Sequence, residues 1–402
     1  MRFHVVGLGA VGSLIANHLR RSLPENHSVS LIHKNVNRAR QALWHNAITL
    51  EEEGSPIVMK DFTHGTAHVD VVSPTFRLPN ITSDSRYIES LFVTLKAHHT
   101  LPALRQIANR LSPNSTIVLL QNGMGVYERL IREIFINPKQ RPHFILASNT
   151  HGAYSRGFLD VIHTGHGEIR FGIVPDLEGR DYEVALRDVS KPPEERRGSL
   201  MDITRSEELD PMFPRYRSLR NTVAALQLME ALHPIWLTME EMQITMRRKL
   251  AVNAVINPLT ALIGCKNGDV FQTPEARSLL FGVCKEASNV YKAEMVAEAQ
   301  KFLNTTDTPT DEDVLLDRIP EALTRESLVQ ECLRVADATR HNSSSMLADI
   351  RFGTDTEINY INGHLIDLGH MYKVQMPVNI TLARLIRMKS KLRLVSGRFS
   401  VL

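Results

Sequence analysis

Lys249, Asn253 and Asn257 stand four residues apart in an otherwise apolar run that continues into Pro258. An ammonium can stabilise a developing oxyanion and then give up a proton. Carboxamides beside it can accept from a hydroxyl and donate to a carboxylate without adding charge. That combination suits the reduction of a polar carbonyl compound. It also suits a buried hydrogen-bond network between domains, since buried polar groups must be paired in any case. What separates the two readings is whether the rest of the chain supplies a cofactor.

Read as a helix, each four-residue step rises about 6 Å and drifts about 40°, so the three polar groups line one stripe. Leu250, Val252, Ala254, Val255 and Ile256 cover most of the remaining circumference, and the stripe must face something polar and partly enclosed. Pro258 has no N–H, so the carbonyl of Ala254 loses its helical partner and a kink is expected just beyond Asn257.

The chain start carries the cofactor signal. Arg2–Val6 is β-prone and runs into Gly7-Leu8-Gly9-Ala10-Val11-Gly12, followed by a helical pattern from Ser13 to Arg21. This is G-x-G-x-x-G in its strand, turn and helix setting. The first glycine serves the turn, the second the approach of a pyrophosphate, and the third close helix packing. A second strand, Ser28–Ile32, ends where an NAD enzyme presents an acid to the ribose diol. Here stand His33, Lys34 and Asn35, with Arg38 and Arg40 beyond, which favours NADPH over NADH. Solvated charges at a helix start are the plainer account of the same residues.

The α/β alternation then continues. A small hairpin is expected at Ile48–Glu51 and Pro56–Met59, followed by strands at Leu91–Leu95, Thr116–Leu120 and His143–Thr150. Lys96 and Asn122 fall at strand carboxyl ends, where open α/β sheets bind ligands. Val161–His163 and Glu168–Gly172 read as an antiparallel pair. His163 and His166 lack a second cluster with ligand spacing, so no metal is expected. Residues 175–217 read as a long charged surface insertion or partly disordered loop, and Leu219–Leu232 as a helix. Beyond Glu240 the spacing is helical, with a polar break at Asn304–Thr310, a helix opened by Glu357 and a closing helix at Val378–Leu392. The fold class is therefore α/β: an N-terminal Rossmann-type dinucleotide-binding domain (1–239) followed by an all-helical C-terminal domain (240–402).

Composition describes an ordinary soluble globular protein. The chain has 402 residues, 43% hydrophobic and 23% charged, with a formal charge of +3, which points to neither nucleic acid nor a membrane surface. Cys265, Cys284 and Cys332 show no paired spacing and read as free thiols of a reducing compartment. No apolar stretch approaches the roughly eighteen residues of a membrane span, and the strand-like start leaves no room for a presequence, so a cytoplasmic location is expected.

Six segments together resemble the ketopantoate reductase (2-dehydropantoate 2-reductase) family. They are Gly7–Gly12, Val93–Ala97, Gln121–Gly125, Arg248–Thr260, Ser345–Ile350 and Thr356–Gly363. The resemblance implies NADPH-dependent reduction of ketopantoate to pantoate, in pantothenate and coenzyme A biosynthesis, with Lys249 as general acid. It implies that Asn253, Asn257 and Ser345 contact substrate, that Lys96 and Asn122 lie where nicotinamide and substrate meet, and that Glu357 supports the lysine or the substrate hydroxyl. Residues 175–217 and 304–319 are additions to the family pattern. A homodimer is compatible with it. Two alternatives stay open: a reductase of another branched 2-oxo acid such as 2-ketoisovalerate, and a noncatalytic dinucleotide-binding regulator on the same fold.

Overall fold

A computed structural model gives the fold and describes residues 1–68, 70–71, 87–303 and 319–399. The chain divides into two compact units, one of Met1–Gln121 with Val126–Met242 and the other of Asn122–Gly125 with Gln243–Leu402. The polar break expected at Asn304–Thr310 lies outside the described residues.

The first unit is built on a nine-stranded sheet in the order Pro234–Trp236, Ile169–Ile173, His143–Asn149, Thr116–Leu119, Ser90–Val93, Arg2–Val6, Ser28–Ile32, Phe62–Gly65 and Asp70–Val71. Its central strands are parallel. Ser90–Val93 and Thr116–Leu119 are buried at every position, which is why they read as apolar runs without alternation. The chain leaves Arg2–Val6 first toward Ser28–Ile32 and later toward Ser90–Val93 on its other side. The carboxyl end of Arg2–Val6 is thus the switch point of the sheet, the usual place for a ligand in open α/β folds.

The expected hairpin forms as Ala47–Glu52 and Ser55–Lys60, within a separate four-stranded sheet that adds Gly152–Gly157 and Asp160–Gly165. The Asn17 amide, fully buried on the Ala10–Ser22 helix, donates to the carbonyls of Ile48 (3.1 Å) and Ile57 (3.3 Å) and ties this sheet to the helix. The pairing expected between Val161–His163 and Glu168–Gly172 is not what forms. Asp160–Gly165 pairs with Gly152–Gly157, and Ile169–Ile173 pairs antiparallel with His143–Asn149. Gly152–Gly157 exposes Tyr154, Ser155 and Arg156 and lacks an apolar alternation, so it gave no strand signal to compete with the neighbouring segments.

Residues 175–217 are ordered and packed, contrary to the expected loose loop. Tyr182, Ile203 and Tyr216 are buried in the core of this unit. The Tyr216 hydroxyl donates to Asp176 (2.7 Å), and Arg180 pairs with Asp210 (2.5 Å) while donating to the carbonyl of Ile203 (2.7 Å). A few aromatic and aliphatic anchors, too widely spaced to make a period, outweigh the surrounding charge. The helix expected at Leu219–Leu232 starts earlier and runs Phe213–Leu228.

From Gln243 onward the described chain is helical, with helices at Met239–Ile263, Pro274–Leu303, Arg325–Ala338, Ser345–Phe352, Asn362–Met371 and Pro377–Phe399. Leu250, Ala251, Ala254, Val255, Tyr291, Leu328, Cys332, Leu365 and Ile386 meet in one core. Two boundaries differ from expectation. Glu357 does not open a helix but sits in a turn, its carbonyl accepting from Tyr360 N (2.9 Å) and Ile361 N (3.1 Å), and the helix begins at Asn362. The closing helix continues past Leu392 to Phe399, a stretch that no proline interrupts. No described helix is long and apolar enough to cross a membrane.

Candidate functional site

The glycine turn of the first unit fits a dinucleotide. Gly7 has φ +100°, and a Cβ there would lie 2.5 Å from Leu95 N, so both conformation and space demand glycine. The Thr94 hydroxyl lies 2.8 Å from Gly7 O and 3.0 Å from Val6 O, pinning the turn to the neighbouring strand end. At Gly9 the reverse holds: a Cβ would meet nothing within 4 Å, and Gly9 caps the Ala10–Ser22 helix with no side-chain acceptor over its first N–H groups. Open space in front of a helix N-terminus with no acid in its first turn is the cradle a pyrophosphate needs. Leu8, Ala10 and Val11 are half-buried around it. Thr94 was missed in the sequence because a strand-end threonine carries no signal of its own.

At the end of Ser28–Ile32 the four cations expected to select the cofactor divide. Lys34, Arg38 and Arg40 are exposed, with Arg38 on the first turn of the Val36–His45 helix and its guanidinium 4.9 Å from the Phe158 ring centroid. His33 serves another purpose. It is 5% exposed and its Nε2 lies 3.0 Å from Nδ1 of His64. Burial first, then His64 and Arg38, lower its pKa to about 3, so it is a neutral imidazole at physiological pH. Lys96 is the residue from which the Ala97–Ile107 helix starts and is half-buried.

The second unit holds the amine and the carboxamides. Lys249 and Asn253 are half-buried and Asn257 is buried, all on the Met239–Ile263 helix. Burial pulls the Lys249 pKa down to about 8, and the negative charge of Glu357 pulls it partly back up. Glu357, itself buried, therefore acts on the amine electrostatically as well as standing in the turn described above. Asn122 belongs to this unit through the loop 122–125. Met124 N donates to Tyr360 O (3.1 Å), and a Cβ on Gly125 (φ +84°) would press on His364 Nδ1 at 2.8 Å. The loop after the Thr116–Leu119 strand is thus fastened to the Glu357–Tyr360 turn. The glycines of Gln121–Gly125 were the legible signal; Tyr360 and His364 had none.

Ser345 is exposed at the first position of its helix. The preceding Ser344 is buried, caps that helix by accepting from Leu347 N (3.1 Å), and lies 2.7 Å from the Thr260 hydroxyl on the Lys249 helix. Among the described residues, no three His, Cys, Asp or Glu groups are arranged to hold a metal ion. His163 instead meets His151 (3.0 Å) and Glu52 (3.4 Å).

The family model described as ketopantoate reductase PanE/ApbA matches residues 3–176, and the model for the C-terminal part of the same family matches residues 241–390. The 2-dehydropantoate 2-reductase of Saccharomyces cerevisiae is 26% identical over 373 residues, covering 91% of this chain and 87% of the yeast one. The 2-dehydropantoate 2-reductase of Vibrio cholerae is 26% identical over 389 residues, covering 96% and 97%. Among solved structures, a ternary complex of D-mandelate dehydrogenase with NADH and anilino(oxo)acetate superposes with a TM-score of 0.68 at 17% identity, over 98% of this chain and 99% of that one. A PanE/ApbA family ketopantoate reductase from Ralstonia eutropha gives 0.65 at 17% identity, over the same shares. At such identities the two structures speak for the fold. The matched models span the glycine turn and the polar stripe alike, and the chain belongs to the ketopantoate reductase family.

Proposed function

We propose that the protein is an oxidoreductase that reduces 2-dehydropantoate to pantoate with NADPH, the step that feeds pantothenate and coenzyme A synthesis. The observation that carries this reading is the Lys249 amine, set in a carboxamide stripe and held by burial and Glu357 at a pKa near 8. Below that pH the amine is charged. It attracts the substrate carbonyl oxygen, stabilises the alkoxide as it forms, and gives that oxygen its proton. Asn253 and Asn257 supply donors and acceptors for the carboxylate and hydroxyl of a 2-oxo acid, and Asn122, Ser345 and Lys96 complete the set of polar contacts.

A reduced nicotinamide, when bound, supplies the hydride. The chain's own part is to hold the dinucleotide: Gly9 and the free N–H groups of the Ala10–Ser22 helix receive the pyrophosphate. Lys34 and Arg38 receive the 2′-phosphate. Residues 33–40 contain no carboxylate to repel it. A homodimer is part of this reading, and the solved ketopantoate reductase of Staphylococcus aureus is described as dimeric.

The test is the purified protein with NADPH or NADH and a panel of 2-oxo acids. Fast oxidation of NADPH by 2-dehydropantoate, and slow oxidation by 2-ketoisovalerate, is the expected result, because a site that bonds a substrate hydroxyl strongly rejects the analogue lacking it. Preference for 2-ketoisovalerate would make the protein a different branched 2-oxo acid reductase. Binding of NADPH with no turnover on any acid would make it a regulator.

A further inference from the structure

Pro258 leaves one carbonyl of the Lys249 helix without its helical N–H, that of Ala254. An unfilled buried carbonyl in the middle of such a helix would cost stability and let the turn relax toward any nearby donor. The structure fills it from another element. Asn362, fully buried at the start of its own helix, donates from Nδ2 to Ala254 O at 2.9 Å. The same nitrogen donates to Asn379 Oδ1 at 2.9 Å.

The orientation of this amide is determined from the far side. Glu286 accepts from Asn379 Nδ2 (2.7 Å), Asn379 N (3.0 Å) and Val378 N (2.7 Å), which forces the Asn379 oxygen to point at Asn362. Both Nδ2 protons of Asn362 are then committed, one to each acceptor. The chain from Glu286 through Asn379 and Asn362 to Ala254 is buried at each of its side chains. Asn362 also follows Ile361, whose N–H donates to the Glu357 carbonyl (3.1 Å), so it ends the tight turn that presents Glu357.

We infer that Asn362 is a positioning residue: by occupying the carbonyl that Pro258 frees, it locks the Lys249–Asn257 turns of the Met239–Ile263 helix to the Glu357 turn that precedes the Asn362–Met371 helix. The distance between the amine and the carboxylate is then set by a bond that neither group makes. This inference rests on the reading of Lys249 as proton donor and names what holds that donor in register.

The experiment pairs Asn362→Leu with Pro258→Ala. Alanine at 258 restores a backbone N–H to Ala254 O, so it makes the Asn362 bond to that carbonyl redundant while Asn362 still donates to Asn379 Oδ1; only the double variant leaves Asn379 short of its donor. Asn362→Leu should lower kcat by about tenfold or more with NADPH affinity unchanged, since displacements of about 1 Å in a reacting group can cost that much. In the Pro258→Ala background the same substitution should lower kcat only a few-fold relative to its parent, by the coupling expected of neighbours that share one acceptor. Amide exchange across residues 250–262, measured without substrate, should speed up in Asn362→Leu and recover in the double variant. Equal loss of kcat in both backgrounds, or exchange untouched by Asn362→Leu, would overturn the inference and leave Asn362 as packing alone. If the unsubstituted protein reduced no 2-oxo acid, the proposed reaction would fail by itself, and the exchange comparison would still decide whether the clamp exists.

Discussion

Lys249 is the proposed proton donor, and its environment gives a pH dependence with a definite sign. The donor form is the ammonium, and burial lowers its pKa to about 8. Turnover limited by this group is therefore full below that value and falls as pH rises through it. The kcat profile should lose one proton's worth of activity on its alkaline limb near pH 8. Lys249→Ala should lower kcat by at least about a hundredfold, within the range general acids contribute, while NADPH affinity stays unchanged; a flat alkaline limb or an active alanine variant would remove Lys249 from the role. The cations beyond Ile32 make a second prediction. The Lys34→Ala and Arg38→Ala double variant should raise KM for NADPH about tenfold or more and leave NADH nearly unaffected, because the proposed role of these cations is to pair with the 2′-phosphate alone. His33→Ala should not discriminate between the cofactors, since its neutral ring pairs with His64.

At the scale of elements, the helix that follows the glycine turn both frames the cofactor site and carries the small sheet. Asn17 satisfies two carbonyls of the hairpin strands from within the helix. Asn17→Ala should cost about 1 to 3 kcal/mol, the penalty for leaving a buried acceptor unpaired, read as a lower urea midpoint with little change in kcat. Gly7→Ala should do worse, because the new Cβ meets Leu95 N at 2.5 Å and φ is +100°. It should abolish dinucleotide binding as well as lower stability. The helical unit offers a contrast in its thiols. Cys284 and Cys332 are fully buried with sulfurs 3.9 Å apart, whereas Cys265 is partly exposed. A thiol reagent should titrate one cysteine in the native protein and all three after unfolding.

Across the whole molecule, a set of buried and half-buried histidines should dominate the response to acid. Burial lowers His4 and His33 to about 3, and His64, His143 and His364 to about 4, from an ordinary value of 6.5. Below pH 6.5 the unfolded chain binds protons at these sites that the folded chain refuses. The stability they allow is complete above pH 6.5 and is lost as pH falls toward 4, at up to about 1.4 kcal/mol per pH unit for each. The urea midpoint should drop steeply between pH 6.5 and 4.5; a midpoint constant over that interval would show that these rings stay solvated.

The sequence by itself determined the features that depend on local spacing. Glycines at 7, 9 and 12, strands without alternation and a polar stripe at four-residue intervals are consequences of backbone geometry, and each was legible from residue order alone. Tertiary structure decided which groups answer one another. The strand at Gly152–Gly157 forms because the neighbouring strand at Asp160–Gly165 offers it a hydrogen-bonding edge, and residues 175–217 pack because Tyr182, Ile203 and Tyr216 join the core of the first unit. Ser344 meets the Lys249 helix at Thr260, and the carbonyl freed by Pro258 finds its donor 108 positions away, at Asn362. Long-range partners of this kind follow from where the elements dock, and docking is settled by total burial that no window of sequence contains.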